Sequence, residues 1–273
     1  MLSGAMRVWK AHAYGNDFLM MQAAEVAARG SDPVLLAQRI CARHTGLGAD
    51  GLILFTEDNQ GASMQLINPD GSHAEVSGNG VRCLAAILSD PLDDRAEHPP
   101  IVITTDAGPK VLTRLAHDPF ERRTVFRASM GRPQHLRLME AELGGERVRA
   151  AALSMGNPQC ILLDQPLTTE RLHRFGPLLQ QHDQFPAGVN VEIIQVDAPD
   201  RVRILIWERG VGPTESSGTG SCASAVAAAA FAGTGREVDV IAPGGTQRVE
   251  WAADDEVYLT GWAQVVLEGQ WLA

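Results

Sequence analysis

The chain has 273 residues, 45% of them hydrophobic and 21% charged, an ordinary globular composition with ample material for one large domain or two of about 130 residues each. The 33 acidic and 23 basic residues are spread along the sequence for a net charge of -10, so no basic patch announces nucleic acid or an anionic membrane as a partner. No apolar run approaches the roughly 20 residues that a bilayer span needs and no secretory signal pattern opens the chain, so a cytoplasmic protein is expected.

In chain order, Met1 to Ala5 precede a second methionine, Met6, and read as a leader or alternative start. Short β-like runs bounded by Gly, Pro, Asn or Asp follow at Met6 to Trp9, Phe18 to Gln22, Gly51 to Phe55, Ser63 to Ile67, Ile101 to Thr104, Lys110 to Leu115 and Thr124 to Ser129. They continue at Ala151 to Ser154, Cys160 to Leu163, Asn190 to Val196, Arg201 to Trp207, Val238 to Ile241, Gln247 to Trp251 and Glu256 to Gly261. Helical patterns are fewer: Asp32 to Arg43, Gly80 to Ser89, Thr168 to His182 and Ser221 to Phe231. The last is almost pure alanine and other small residues, which suits a helix buried inside a sheet or barrel. Cys41, Cys83, Cys160 and Cys222 are widely spaced without a CxxC pair, so reduced buried thiols are expected rather than disulfides or zinc. The histidines do not cluster at ligand spacing, and no metal is expected.

An internal echo stands out. Ser77-Gly78-Asn79-Gly80 runs into the helix bearing Cys83, and 140 residues later Ser217-Gly218-Thr219-Gly220 runs into the helix bearing Cys222. Two similar halves with a site between them account for it most simply; Gly-rich strand-to-helix turns are also common enough to coincide. Each turn opens a helix, so its backbone N–H groups lie ahead of the intrahelical ladder beside the positive end of the dipole and suit an anion. A carboxylate gripped there from two sides would be stabilised as charge builds on it when the adjacent carbon loses a proton. Ser77 and Ser217 would then flank that carbon.

Further blocks accompany the turns: Lys10 to Phe18 (KAHAYGNDF), Gly46 to Gly51 (GLGADG), Asn68 to Ser72 (NPDGS), Ser154 to Pro158 (SMGNP), Val189 to Val191 (VNV), Trp207 to Gly210 (WERG), Pro243 to Gly245 and Leu259 to Gly261. In this order and spacing the chain resembles the diaminopimelate epimerase family over nearly its whole length. The resemblance implies an α/β (α+β) fold of two pseudo-symmetric halves, each a curled, mostly antiparallel sheet around a central helix. The halves are expected at residues 1–118 plus 264–273 and at 119–263, with the active site in the cleft between them. It implies an isomerase that transfers a proton at the α-carbon of a diaminopimelate-like amino acid, LL to meso, with neither cofactor nor metal. The expected partner is that small molecule, with no nucleic acid and no membrane; a homodimer is compatible with the sequence.

Residue by residue, the resemblance assigns the reacting carboxylate to the backbone of Gly78, Asn79, Gly218 and Thr219. The far end of the substrate falls to Asn16, Asn68, Asn157, Asn190, Glu208 and Arg209. These side chains have the right chemistry for it, with an arginine fork for a carboxylate, a glutamate for an ammonium and amides for orientation. The family's two proton-moving cysteines fall at Ser77 and Ser217, and its supporting histidine falls at Gln159, while the supporting acid Glu208 is retained. Serine is a far weaker acid than a thiol of pKa about 8.5, and glutamine does not titrate. Three alternatives stay open: a divergent superfamily isomerase or dehydratase using Glu208 or water as base, an amino-acid-binding homologue without catalysis, and a trapped Cys-to-Ser variant.

Overall fold

The computed structural model describes residues 5–89 and 98–272, so residues 1–4 of the expected leader lie outside the described part. Two units divide the chain: residues 1–128 with 262–273, and residues 129–261. Among the described residues no helix is long and apolar enough to cross a membrane.

The first unit opens with an antiparallel hairpin of β1 (Ala5–Ala13) and β2 (Asn16–Gln22). Its two turn residues, Tyr14 and Gly15, have φ of 55° and 88°, the left-handed pair that matches the twist of a two-residue hairpin. Tyr14 is held there by its ring, 4.5 Å from that of Trp262, and by its hydroxyl, which accepts from Trp262 N–H at 3.2 Å. Next come α1 (Ala23–Ala28) and α2 (Pro33–Ile40), the latter capped by the Asp32 carboxylate with Pro33 in its first turn. They cover Met6, Val8, Leu19, Met21, Leu52 and Leu54, alternate positions that share one face of the strands. β3 (Gly51–Glu57) runs parallel to β2, and β4 (Gly61–Ile67) returns antiparallel with the two-residue β5 (His73–Ala74) on it. The helix α3 (Gly78–Leu88) then leads to β6 (Ile101–Thr105), parallel to β4. The antiparallel strands β7 (Gly108–Asp118) and β8 (Arg123–Gly131) follow. Packing against β1, β2, β6 and β7, α3 touches strands from both ends of this order, so the sheet curls around it.

The second unit repeats the plan. β9 (Gln134–Leu143) and β10 (Glu146–Ser154) pair antiparallel, as do β10 and β11 (Pro158–Leu162). The outer helix α4 (Thr169–Gln180), capped by Thr168, buries Leu172, Phe175 and Leu179 against Cys160, Leu162, Val191 and Ile193. β12 (Asn190–Ala198) is parallel to β11 and antiparallel to β13 (Arg201–Glu208), which carries the short β14 (Gly212–Thr214). The central helix α5 (Gly218–Phe231) is buried from Gly218 through Ala228 and packs on β10, β11, β12, β13, β15 (Glu237–Ala242) and β16 (Gly245–Trp251). β15 is parallel to β13 and antiparallel to β16, which pairs with the start of β17 (Val257–Leu272). From Gln264 onward β17 pairs with β1 in the first unit.

The echo therefore extends from one motif to the whole pairing scheme. β1, β2, β3, β4, α3, β6 and β7 correspond to β10, β11, β12, β13, α5, β15 and β16, with a parallel pair at β2–β3 and β11–β12 and again at β4–β6 and β13–β15. Register agrees as well: Phe18 faces Gly51 and Met20 faces Ile53, as Gln159 faces Asn190 and Ile161 faces Glu192. The small residues of α5 let six strands approach one helix, as the composition of that segment predicts. Against the expected boundaries at 118 and 264, the units divide after Ala128 and Gly261, because residues 123–128 pair along β7 and belong with it.

Candidate active site

Ser77 and Ser217 are the N-caps of the two central helices. Both have extended backbones, φ −129° and −138°, and each hydroxyl oxygen accepts the N–H of the residue three positions on, Gly80 or Gly220, at 3.1 Å. The carbonyl of each serine accepts the next amide, from Val81 at 2.9 Å and from Ser221 at 3.0 Å. Ahead of those lie the amides of Gly78 and Asn79, and of Gly218 and Thr219, the first-turn positions where an anion meets the helix dipole. The serines thus have a structural role, since a hydroxyl N-cap contributes about 0.5–2 kcal/mol to its helix.

In the first unit, Asn79 in the first turn of α3 donates through Nδ2 to Asn16 Oδ1 at 3.1 Å, and Asn16 Nδ2 donates to Asp50 Oδ2 at 2.8 Å. Asn16 is thereby fixed from both sides. Asp50 and Asp17 share Arg43 at 2.6 and 3.1 Å, and Lys10 reaches Asp17 at 2.9 Å. Burial raises the Asp17 pKa, but the hydrogen bonds and charges of Lys10 and Arg43 outweigh it and hold the carboxyl below its ordinary value. Arg82, fully buried in α3, donates to Asn79 Oδ1, with Tyr14's ring 5.9 Å from its guanidinium. Asn68 is engaged differently. Its amide donates to Ser72 Oγ at 2.9 Å within its own turn.

The second unit holds the matching network. Asn190 Oδ1, at the start of β12, accepts the backbone N–H of Arg209 at 2.8 Å, which turns Asn190 Nδ2 toward Gln159. Gln159 consequently presents its oxygen to Asn190 Nδ2 and Thr219 Oγ1, both at 3.2 Å, and its Nε2 to the Glu192 carboxyl, 3.2 Å from either oxygen. Asn157 completes the set, 3.3 Å from Thr219 Oγ1 and 2.8 Å from the Gln159 amide. Arg209 extends its NH1 to the carbonyl of Ala187 at 3.1 Å. Five of the residues assigned by the sequence, Asn157, Gln159, Asn190, Arg209 and Thr219, are thus tied together by hydrogen bonds, Ser217 and Gly218 adjoin them at the start of α5, and Glu208 ends the strand beside Arg209.

Sequence reasoning missed Glu192 and Asp50. Glu192 is fully buried, and desolvation, with the charge of Glu208 second, pushes its carboxyl well above the ordinary range toward the neutral form. The available signal was period-2 alternation: Glu192 sits two residues after Asn190 in the buried first half of β12, beside Val191, Ile193 and Ile194 and on the face turned toward α5. Asp50 adjoins the Gly51 start of β3, the place that Asn190 takes in the second unit. All four cysteines are reduced and buried, and burial pushes Cys41 up to about 12 and raises Cys83 and Cys160.

A family profile described as diaminopimelate epimerase matches residues 8–136 and 151–266. The diaminopimelate epimerase of Pelotomaculum thermopropionicum is 37% identical over 280 residues, spanning 97% of this chain and 99% of that protein. The diaminopimelate epimerase of Synechocystis sp. is 37% identical over 288 residues, spanning 97% and 99%. Among solved structures, a hydroxyproline epimerase from Agrobacterium vitis superposes with TM-score 0.70 at 16% identity, covering 99% of this chain and 92% of that one. A phenazine biosynthesis protein of the PhzF family from Bacillus anthracis does so with TM-score 0.68 at 16% identity, covering 98% and 99%. These two likenesses establish the fold.

Proposed function

Because the chain belongs to the diaminopimelate epimerase family and is an isomerase of that class, we propose that it moves a proton at the α-carbon of a diaminopimelate-type amino acid, using its own side chains rather than pyridoxal or a metal. One observation carries the reading. In each unit the first-turn side chain of the serine-capped helix, Asn79 or Thr219, is hydrogen-bonded to the residues assigned to the substrate, Asn16 in one case and Asn157 and Gln159 in the other. Ligand recognition and the anion-binding turn are thus mechanically one device, built twice. Gly78, Asn79, Gly218 and Thr219 bind the reacting carboxylate through backbone amides, while Asn157, Asn190, Glu208 and Arg209 read the far ammonium and carboxylate.

Ser77 and Ser217 stand where the family places thiols, and both hydroxyl oxygens are already engaged as helix caps. That engagement favours a second reading, in which the ligand is bound and its α-proton loosened without full inversion. The test is incubation with diaminopimelate stereoisomers in deuterated water, following α-proton exchange by mass spectrometry alongside thermal unfolding. Ligand at one hundred times its Kd should stabilise the protein by about 2.7 kcal/mol, and Arg209→Met should abolish the shift. No shift at millimolar diaminopimelate, with a shift from an unrelated metabolite, would overturn the substrate assignment.

A further inference from the structure

The two turns share a backbone but differ in what lies beneath them. A Cβ on Gly80 would meet Ile53 Cδ1 at 3.0 Å; a Cβ on Gly220 would meet Glu192 Oε1 at 2.3 Å. Ile53 and Glu192 occupy equivalent register positions, facing Met20 and Ile161. The plan of this fold therefore accepts an apolar side chain under a Ser-Gly-x-Gly turn, and in the first unit has one. A carboxyl at the other copy is not required for packing, and burying it is costly unless it is neutral and hydrogen-bonded. The same point at Gly220 that lies 2.3 Å from Glu192 Oε1 lies 3.1 Å from Ser217 Cβ, which puts the carboxyl oxygen at most about 5.4 Å from the carbon that carries the Ser217 hydroxyl.

We propose that Glu192 holds the proton that the Ser217 turn exchanges with its ligand. Glu192 is a positioning residue that acts through Ser217, and the inference rests on the α-carbon chemistry proposed above. For proton delivery, the Ser217 O–H bond breaks as the ligand's carbanion takes that proton. Ser217 Oγ then takes the proton of Glu192, which is left as a carboxylate. Proton removal runs in reverse: the C–H electron pair passes into the ligand carboxylate as an enolate at the α5 N-terminus, the proton goes to Ser217 Oγ, and the hydroxyl proton goes to Glu192. The groups that set its balance are few. β13 brings Glu208 and β11 brings the buried thiol Cys160, while α5 contributes only the thiol of Cys222 and no charged side chain. Gln159, uncharged, holds the carboxyl by one amide, where a histidine would compete for the proton.

The test uses the full-length protein and its isosteric variant Glu192→Gln. Infrared difference spectra of wild type against variant at neutral pH should show one protonated carboxyl, vanishing as pH is raised. In deuterated water with diaminopimelate, α-proton exchange by the wild type should rise with pH as Glu192 ionises. Glu192→Gln should lower exchange about 10²- to 10⁴-fold and remove that pH dependence while keeping the ligand-induced thermal shift, and Glu192→Asp should recover part of the rate. An ionised Glu192 at neutral pH, or a variant exchanging at the wild-type rate with the same pH profile, overturns the proposal and leaves the substrate reading intact. A wild type that neither binds nor exchanges overturns the substrate reading itself, and the proton-holding role with it.

Discussion

Alanine substitutions at the two equivalent glycines should separate the halves sharply. At Gly220 the new methyl would sit 2.3 Å from Glu192 Oε1, 3.0 Å from its Cδ and 3.1 Å from Ser217 Cβ. Glu192 is fully buried and hydrogen-bonded by Gln159, so it has no free space to swing into. Overpacking of this kind costs about 1–3 kcal/mol, and the higher helix propensity of alanine returns at most about 1 kcal/mol, leaving Gly220→Ala destabilised by up to about 2 kcal/mol when that return is taken in full. At Gly80 the nearest atom is the terminal methyl of Ile53 at 3.0 Å, then Ser77 Cβ at 3.3 Å. A methyl that turns about one bond yields easily, so Gly80→Ala should stay within about 1 kcal/mol of wild type. Urea unfolding, with hydrogen exchange of the α5 amides as the local readout, measures both. In a Glu192→Ala background the Gly220 penalty should disappear, a coupling of up to about 2 kcal/mol. Equal penalties at both glycines, or a Gly220 penalty unchanged without the carboxyl, would refute the packing argument.

Replacing Ser77 and Ser217 by Cys together with Gln159→His should raise diaminopimelate epimerisation by several orders of magnitude, since positioned acid–base groups contribute about 10²- to 10⁴-fold each. The double cysteine variant should fall short, and both should unfold at lower denaturant because hydroxyl caps are lost; a native rate equal to the triple variant's would refute the claim that serine limits the reaction. Asp17 carries a pH signature in stability. Burial raises its pKa, but Lys10 and Arg43 depress it on balance, so its contribution is fully present above its unfolded value of about 3.9 and is lost as pH falls through the lower folded value. Asp17→Asn should flatten thermal stability across that acid window, and an unchanged slope would show that Lys10 and Arg43 do not hold the carboxylate.

Much of the fold was legible because its strands are short, apolar and punctuated. Twelve of the fourteen expected β runs fall within β1–β4, β6–β8, β10, β12, β13, β15 and β16, and the other two overrun β11 and β17 by one residue, at Leu163 and Glu256; the four expected helices end within three residues of the bounds of α2, α3, α4 and α5. The missed elements carry weak local signals. β9 breaks its alternation at the adjacent Leu138 and Met139 and exposes Arg137, Glu140 and Glu142, and α1 has six residues and no side-chain cap. The residues proposed to read the ligand stood out because each belongs to a short sequence block that carries the family resemblance. Glu192 was not, since its meaning arises only when β12 lies under Gly220, a contact between residues far apart in sequence. The capping role of the serines was equally hidden, because a serine before a glycine turn reads alike whether it caps or reacts.

The chemistry beneath the two turns is unequal in a way that bears on the direction of the reaction. Under α3, the first-turn residue Asn79 is bound by the buried guanidinium of Arg82, a cation that does not give up its proton in proteins. Under α5 the position equivalent to Arg82 is Cys222, and the nearby ionisable group is the buried carboxyl of Glu192, favoured in its neutral form. One turn therefore brings a permanent charge, suited to holding an anion, and the other brings an exchangeable proton. Inversion needs a proton-accepting group on each face of the α-carbon, whereas exchange with retention needs one. With a buried carboxyl beneath Gly220 and the apolar Ile53 beneath Gly80, the native chain is expected to exchange the α-proton of its ligand much faster than it inverts the centre.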